Sequence, residues 1–268
     1  MIVDAFFLRE LEELRTPAGG TELVGPMLYA LTRMLRPSSV LEVGAGYTTP
    51  FLALALTENL RDAASERAGV YRKAGDLLDV EMGSMPDGGA SWVLEAPALA
   101  WPAFYARPHE PLLVSIDALT SDVSSAGAVR GVLERLDLMD RTLLVNDEIP
   151  AAFARIPSAA LPFGLVWLDV PACLEFLEEH IHLSDPAGGI VVLHYLLTSA
   201  EGAAVVDYIK ALQASRSGQL EVISLVEPHK LAQNGVTMIR RTTRYREVDR
   251  MAPDNVMRSA EELLEGNP

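Results

Sequence analysis

A chain of 268 residues, 49% of them hydrophobic, suits one large domain or one domain with a sizeable insertion, folded into a packed globule. A formal net charge of −15 argues against nucleic acid or an anionic membrane as the main partner, because both need a basic surface. A single cysteine, Cys173, excludes a disulfide framework and argues against a cysteine-based zinc site.

The opening residues, MIVDAFFLRELEELR, mix acids with apolar residues and lack the basic start of a signal peptide. No apolar run is long enough to cross a bilayer, so a cytoplasmic protein without membrane contact is expected. Phe6, Phe7, Leu11 and Leu14 recur at helical spacing and predict a first helix ending near Thr16-Pro17. Gly19-Gly20 reads as a loop, and Leu23 to Leu35 as a second helix stopped by Pro37. Residues 1–37 are thus expected as N-terminal helices ahead of a main domain over 38–245. That domain opens with the strand VLEVG, residues 40–44, and a Gly44-Ala45-Gly46 turn. Thr48 and Thr49 stand where helix N-caps are favoured, and Pro50 fits a first helical turn. The helix is expected from Phe51 to about Ala64.

Residues 65–111 break the rhythm. They hold the strand-like pieces GDLLDVEM and ASWVLEA, a Pro-Asp-Gly-Gly turn at 86–89, and the aromatic residues Trp92, Trp101, Phe104 and Tyr105. Such a segment is too long for a plain connection, and its aromatics predict an ordered insertion. The cluster is either a small core of its own or the lining of an acceptor pocket. The insertion can fold over a cleft or pair with a second subunit, which would make a homodimer.

The rhythm then returns. LLVSID (112–117), TLLV (142–145), GLVWLDV (164–170) and IVVLH (190–194) are strand runs, separated by helices over 126–136 and 174–183. A helix over 203–214 follows, then the strands 220–226 and 235–241, whose short link requires antiparallel pairing or separate sheets. Residues 246–268 read as a charged helix and tail. The predicted class is α/β, a doubly wound and mostly parallel sheet with an antiparallel last strand.

In an open parallel sheet, ligands bind beyond the carboxyl ends of the strands, near the switch point in strand order. Gly44 and Gly46 let the first loop approach a ligand closely. A nucleoside triphosphate is disfavoured, because the loop has no lysine followed by Ser or Thr. A dinucleotide is disfavoured too, since the third glycine and a ribose-binding acid about 20 residues on are missing. Glu42 lies inside an apolar strand and needs a partner, either a ligand ammonium or an orphan loop amide. Thr48 or Thr49 can bond a ligand carboxylate at the helix start.

VLEVGAGYTTPFLA resembles the first motif of class I S-adenosylmethionine-dependent methyltransferases, nearest the small-molecule O-methyltransferase branch whose loop reads Glu-x-Gly-x-Gly before Ser/Thr pairs. LLVSID, LLVNDE, FGLVWLDV and SDPAGGIVVLHYLL follow in the family's motif order. The resemblance implies a Rossmann-like methyltransferase fold with S-adenosyl-L-methionine as cofactor. It implies that Glu42, Gly44, Ala45, Gly46, Tyr47, Thr48 and Thr49 form the cofactor loop, that Asp117 binds the ribose hydroxyls, and that Asp147, with Asn146, lies beside the adenine. It implies also that Asp169 faces the methyl group. Metal-dependent relatives carry Asp-Asn just after the fifth strand. His194-Tyr195 stands there instead, so no metal is expected.

Transfer to a hydroxyl needs a general base, and Asp169 and His194 end the two strands beside the reactive centre. The alternative readings are a helix or turn cap for Asp169 and a structural histidine for His194. His180 and His182, two apart on a helix, point away from each other and make poor paired ligands. The resulting expectation is methyl transfer to a small-molecule acceptor at oxygen. A carboxyl- or N-methyltransferase, a nucleotide-binding oxidoreductase and a non-catalytic cofactor-binding module are the alternatives.

Overall fold

The apolar runs become five parallel strands: β1 Ser39–Val43, β2 Leu112–Asp117, β3 Thr142–Asn146, β4 Leu165–Leu168 and β5 Ile190–His194. With β6 Leu220–Val226 and β7 Gly235–Arg241 they form one seven-stranded sheet in the order β3-β2-β1-β4-β5-β7-β6. β7 runs antiparallel to both β5 and β6, as their short link demands. The computed structural model describes residues 3–16, 19–78, 95–120, 125–194, 196–198, 200–215, 220–242, 258 and 261–265. Two compact units divide the chain, one of Met1–Glu58 with Pro111–Thr243 and one of Asn59–Glu110 with Arg244–Pro268.

In the first unit the period of two along each strand sorts the core into two layers. Val40, Leu113, Leu165, Trp167 and Val192 share one cluster. They meet Phe7 of α1 (Ala5–Glu10), Leu28 of α2 (Val24–Leu35), Phe51 to Leu54 of α3 (Thr49–Leu78) and Val129 to Leu133 of α4 (Ala126–Arg135). Leu41, Val114, Val166, Val191 and Leu193 belong to the other cluster. There they meet Phe176, Leu177, and Val205 and Ile209 of the helix Ala200–Ser215. The predicted helix over 174–183 is a segment that passes from α geometry at Cys173–Glu175 through a π turn at Phe176–His180 to 3₁₀ geometry at Ile181–Leu183. Among the described residues no helix is long and apolar enough to cross a membrane.

The N-terminal helices are part of this core. Phe7, Leu11 and Leu14 are fully buried, and the Phe7 and Phe51 rings meet edge to face at 5.1 Å. Phe6, on the same predicted stripe, is 45% exposed.

The clearest difference from expectation is α3. It does not end near Ala64 but continues to Leu78, so the first half of GDLLDVEM is helix and not strand. Its residues change neighbours instead of stopping. Val70 and Ala74, one turn apart, are buried with Tyr105 and Leu263 in the core of the second unit. Lys73 is 4% exposed and donates from Nζ to the carbonyls of Glu95 and Pro97, at 2.7 and 3.1 Å. Tyr105 therefore packs as core, and its hydroxyl donates to Glu66. Trp92 and the 86–89 turn lie outside the described residues.

The position of the first helix is testable. Leu11→Ala should lower unfolding free energy by ~3 kcal/mol in urea, as for other fully buried leucines. Leu8→Ala, on the exposed side of the same helix, should change it by less than ~0.5 kcal/mol. Equal small effects would mean that α1 is not held in the core.

Candidate active site

β1 and β4 are neighbours, with β2 and β3 beyond one and β5 beyond the other, so the strand order reverses between them. At that point, past the carboxyl ends of the strands, lies a cavity of about 430 Å³, in the size range of small-molecule sites. Its walls come from the β1 loop (Gly44 to Thr48), the end of β2 (Ile116 and Asp117), Asp147 after β3, and Asp169 to Pro171 after β4.

The loop turns at Gly44, whose φ is +99°. A Cβ there would stand 2.8 Å from the Asp169 carbonyl oxygen, so only glycine lets the turn pack on the end of β4. Gly46 faces the cavity together with Ser125, with 3.2 Å between an added Cβ and the serine Oγ. Tyr47 also lines the cavity, its ring packed on Phe51 at 5.4 Å.

Beneath the loop sits Glu42, fully buried. Its partners within the chain are side-chain hydroxyls, not a loop amide. Thr48 Oγ1 donates to Glu42 Oε1 and Ser115 Oγ to Oε2, both at 2.6 Å. Trp167 Nε1 donates in turn to Thr48 Oγ1 at 3.2 Å. The register explains the grouping, because Glu42 stands opposite Ser115 on β2 and Trp167 on β4. The orphan amide of Gly46 donates to Thr49 Oγ1 at 2.9 Å. Both threonine hydroxyls therefore take part in this internal network, while Thr48 also lines the cavity. Burial pushes the Glu42 carboxyl up to about 7, against the lowering effect of the hydroxyls.

Asp117 lines the cavity, and its Oδ1 accepts the Leu119 N–H at 2.8 Å. Burial raises its carboxyl above the usual range. Asp147 is also at the wall, with its Oδ2 3.4 Å from Arg155, while Asn146 is exposed and does not line the cavity. Asp169 reaches the cavity and His194 does not. His194 is fully buried behind it, with Nδ1 2.7 Å from Asp169 Oδ1 and its ring 5.5 Å from that of Trp167. Tyr195 lies outside the described residues.

Among the described residues, Glu175, Glu179 and His180 form a group with metal-ligand spacing, and none of them lines the cavity. Sequence reasoning missed Ser115 and Trp167. Ser115 left a signal, since it is a polar residue inside the apolar run LLVSID, as Glu42 is inside VLEVG.

No protein-family model matches the chain. No curated protein sequence matches it. Solved structures do. The O-methyltransferase TomG from Streptomyces achromogenes, involved in tomaymycin synthesis and solved with SAM, superposes with a TM-score of 0.57 at 16% identity, over 90% of this chain and 91% of that one. At this identity the likeness is one of fold, a Rossmann-like α/β arrangement shared with solved methyltransferases. An O-methyltransferase from Bacillus cereus, solved with SAH, superposes on this methyltransferase fold with a TM-score of 0.55 at 15% identity, over 89% of this chain and 91% of the other.

The raised Glu42 carboxyl makes stability depend on pH. Between 4.5 and about 7 the folded chain holds a proton that the unfolded chain has released, so stability falls as pH rises through this window. The loss attributable to Glu42 is ~3 kcal/mol. Glu42→Gln keeps the shape and removes the titration. Its unfolding free energy relative to the parent should therefore improve from pH 5 to pH 8, and parallel pH profiles for the two proteins would contradict the assignment.

Proposed function

We propose that this chain is an S-adenosylmethionine-dependent methyltransferase that acts on a small-molecule acceptor at oxygen and needs no metal. The observation that carries the reading is the charge of the cavity. Its described walls hold the carboxylates of Asp117, Asp147 and Asp169 and no lysine, arginine or histidine. Phosphate groups of NAD or ATP would meet like charge there, in a partly desolvated site. A cofactor with a sulfonium and an ammonium, and no phosphate, is matched to it. The same argument supports a small, phosphate-free acceptor over nucleic acid.

The cofactor would supply an activated methyl group bound to a sulfonium sulfur. Glycine at 46 leaves room for it beside Ser125, and the Asp117 carboxylate would take the ribose hydroxyls. Asp147 would border the adenine. Asp169 is the base in this reading, because its carboxylate is the group at the cavity wall next to the β4 end. It takes the proton that the acceptor oxygen gives up as the new carbon–oxygen bond forms. His194, held off the cavity, is a positioning residue that fixes the Asp169 carboxylate through Oδ1 and leaves Oδ2 for the acceptor.

Calorimetry should detect binding of S-adenosylmethionine and S-adenosylhomocysteine but not of NAD or ATP, and Gly46→Val should abolish it by filling the cavity beside Ser125. NAD binding in place of either would overturn the assignment. In an acceptor screen read by S-adenosylhomocysteine release, Asp169→Asn should lower kcat about 100-fold with little change in cofactor affinity. A rise in KM alone would instead indicate an amine acceptor, bound by Asp169 as a counter-ion. Turnover should persist in EDTA. Activity lost on chelation and restored by magnesium would make Asp169 a metal ligand.

A further inference from the structure

Gly19-Gly20 reads in the sequence as a plain connection between two helices. In the structure it is a wall of the cavity, which Thr16, Gly19 and Thr21 line. The residue that holds this strap in place comes from the other end of the unit. β7 pairs antiparallel with β5, setting Val236 opposite His194, so the loop that precedes β7 lies on the cavity side of the sheet. That loop is braced internally. Glu227 N–H donates to the Asn234 carbonyl at 2.6 Å, and Lys230 N–H to the Glu227 carbonyl at 3.1 Å. Asn234 Nδ2 donates to the Lys230 carbonyl at 3.2 Å.

From this frame the Lys230 side chain, 13% exposed, reaches the strap. Its ammonium donates to the Gly20 carbonyl at 3.0 Å and pairs with Glu22 Oε1 at 2.9 Å and Glu227 Oε1 at 3.0 Å. An ammonium has three donors, and each has a partner here. Gly20 adds a close backbone approach. Its φ is +68°, and a Cβ on it would stand 2.3 Å from Gln233 Cβ. The hydrogen bond from Lys230 holds the Glu22 carboxyl below its usual range. The pair with Glu227, whose side chain is 18% exposed, is screened less than an ordinary surface pair, and the pair with the more exposed Glu22 is screened more.

We propose that Lys230 is a positioning residue that latches the Gly19–Glu22 strap over the cavity and thereby sets how long a bound S-adenosyl ligand stays. The ligand half of this inference rests on the cofactor reading above. The strap half does not. When the latch opens, the Gly20 carbonyl and the Glu22 carboxylate lose the cation, which stays with Glu227 on its own loop, so opening is disfavoured while Lys230 is present. A ligand held against the strap loses its contacts with Gly19 and Thr21 when the strap opens, so opening favours its departure.

The test has two arms on the full chain. In the first, without ligand, hydrogen exchange at residues 20–25 should be about tenfold faster in Lys230→Met than in the parent, with exchange in β1 unchanged. Glu22→Gln, a change at a partly exposed side chain that leaves Lys230 and Glu227 paired, should give a smaller acceleration. In the second, S-adenosylhomocysteine should dissociate about tenfold faster from Lys230→Met, with its association rate not reduced. Lys230→Arg should restore most of the residence time. Unchanged exchange in both variants overturns the latch. Faster exchange with an unchanged dissociation rate overturns its role in ligand residence. A parent protein that binds no S-adenosylhomocysteine overturns the cofactor reading and the residence role together, while the exchange arm still decides whether Lys230 holds the strap.

Discussion

The arrangement at the switch point depends on the burial of one carboxylate. Glu42 is fully enclosed at the centre of a parallel sheet, where an unpartnered charge would cost several kcal/mol. Two hydroxyl donors and a carboxyl pushed up to about 7 reduce that cost. The hydroxyls are bound to specific places in return. Ser115 fixes β2 against β1, and Thr48 fixes the start of α3 under the loop. Trp167, donating to Thr48, brings in β4. The glycine turn is stretched between these anchors, so its conformation is set from below, by Ser115 and Trp167, which do not line the cavity, and by Thr48 at its edge.

This internal use of the threonines shapes the chemistry above. A helix start with free hydroxyls and amides is suited to anions. Here the hydroxyls face inward, and the Gly46 amide is met by Thr49. What lines the cavity is loop backbone, the Tyr47 ring, Thr16, Thr21, Thr48, Thr120 and Ser125, and carboxylates on the facing strands, with no lysine or arginine among the described walls. The loop looks like a nucleotide cradle in sequence, yet its surroundings select against phosphate. Specificity of this kind comes from repulsion of the wrong ligand as much as from attraction of the right one.

Much of the fold was legible in the sequence because a parallel sheet needs apolar runs, and the runs of this chain are cleanly bounded. The strands ending at Asp117, Asn146 and His194 and the antiparallel last pair all follow from local pattern. The gathering of Gly44, Asp117, Asp147 and Asp169 at one cavity follows from the rule for open sheets. What was not legible depends on register. That Glu42 would meet Ser115 rather than a loop amide is decided by the pairing of strands 73 residues apart. That α3 would continue past Ala64 is decided by Tyr105 and Leu263, which supply a new core for Val70 and Ala74. Neither partner is near in sequence. The inward turn of both threonines is hidden for the same reason, since a threonine at a helix start can serve solvent, ligand or core with the same local sequence.

Register also ties the cofactor loop to the proposed reactive wall. Side chains two apart on a strand share a face, so Trp167 and Asp169 lie on one side of β4, the side that also carries Glu42 and Ser115. β4 and β5 pair Trp167 with Val192 and Leu168 with Leu193, which brings His194 level with Asp169 on that same side. One row of polar side chains thus crosses the sheet, from Ser115 through Glu42 and Trp167 to Asp169 and His194. Trp167 is its midpoint. Its indole N–H holds the hydroxyl that anchors the loop, and its ring packs against the imidazole that holds Asp169. A rigid aromatic with few rotamers is well placed for this, because it keeps the glycine turn and the Asp169 carboxylate at a fixed separation without entering the cavity. The separation of the glycine turn from the Asp169 carboxylate is then set inside the core.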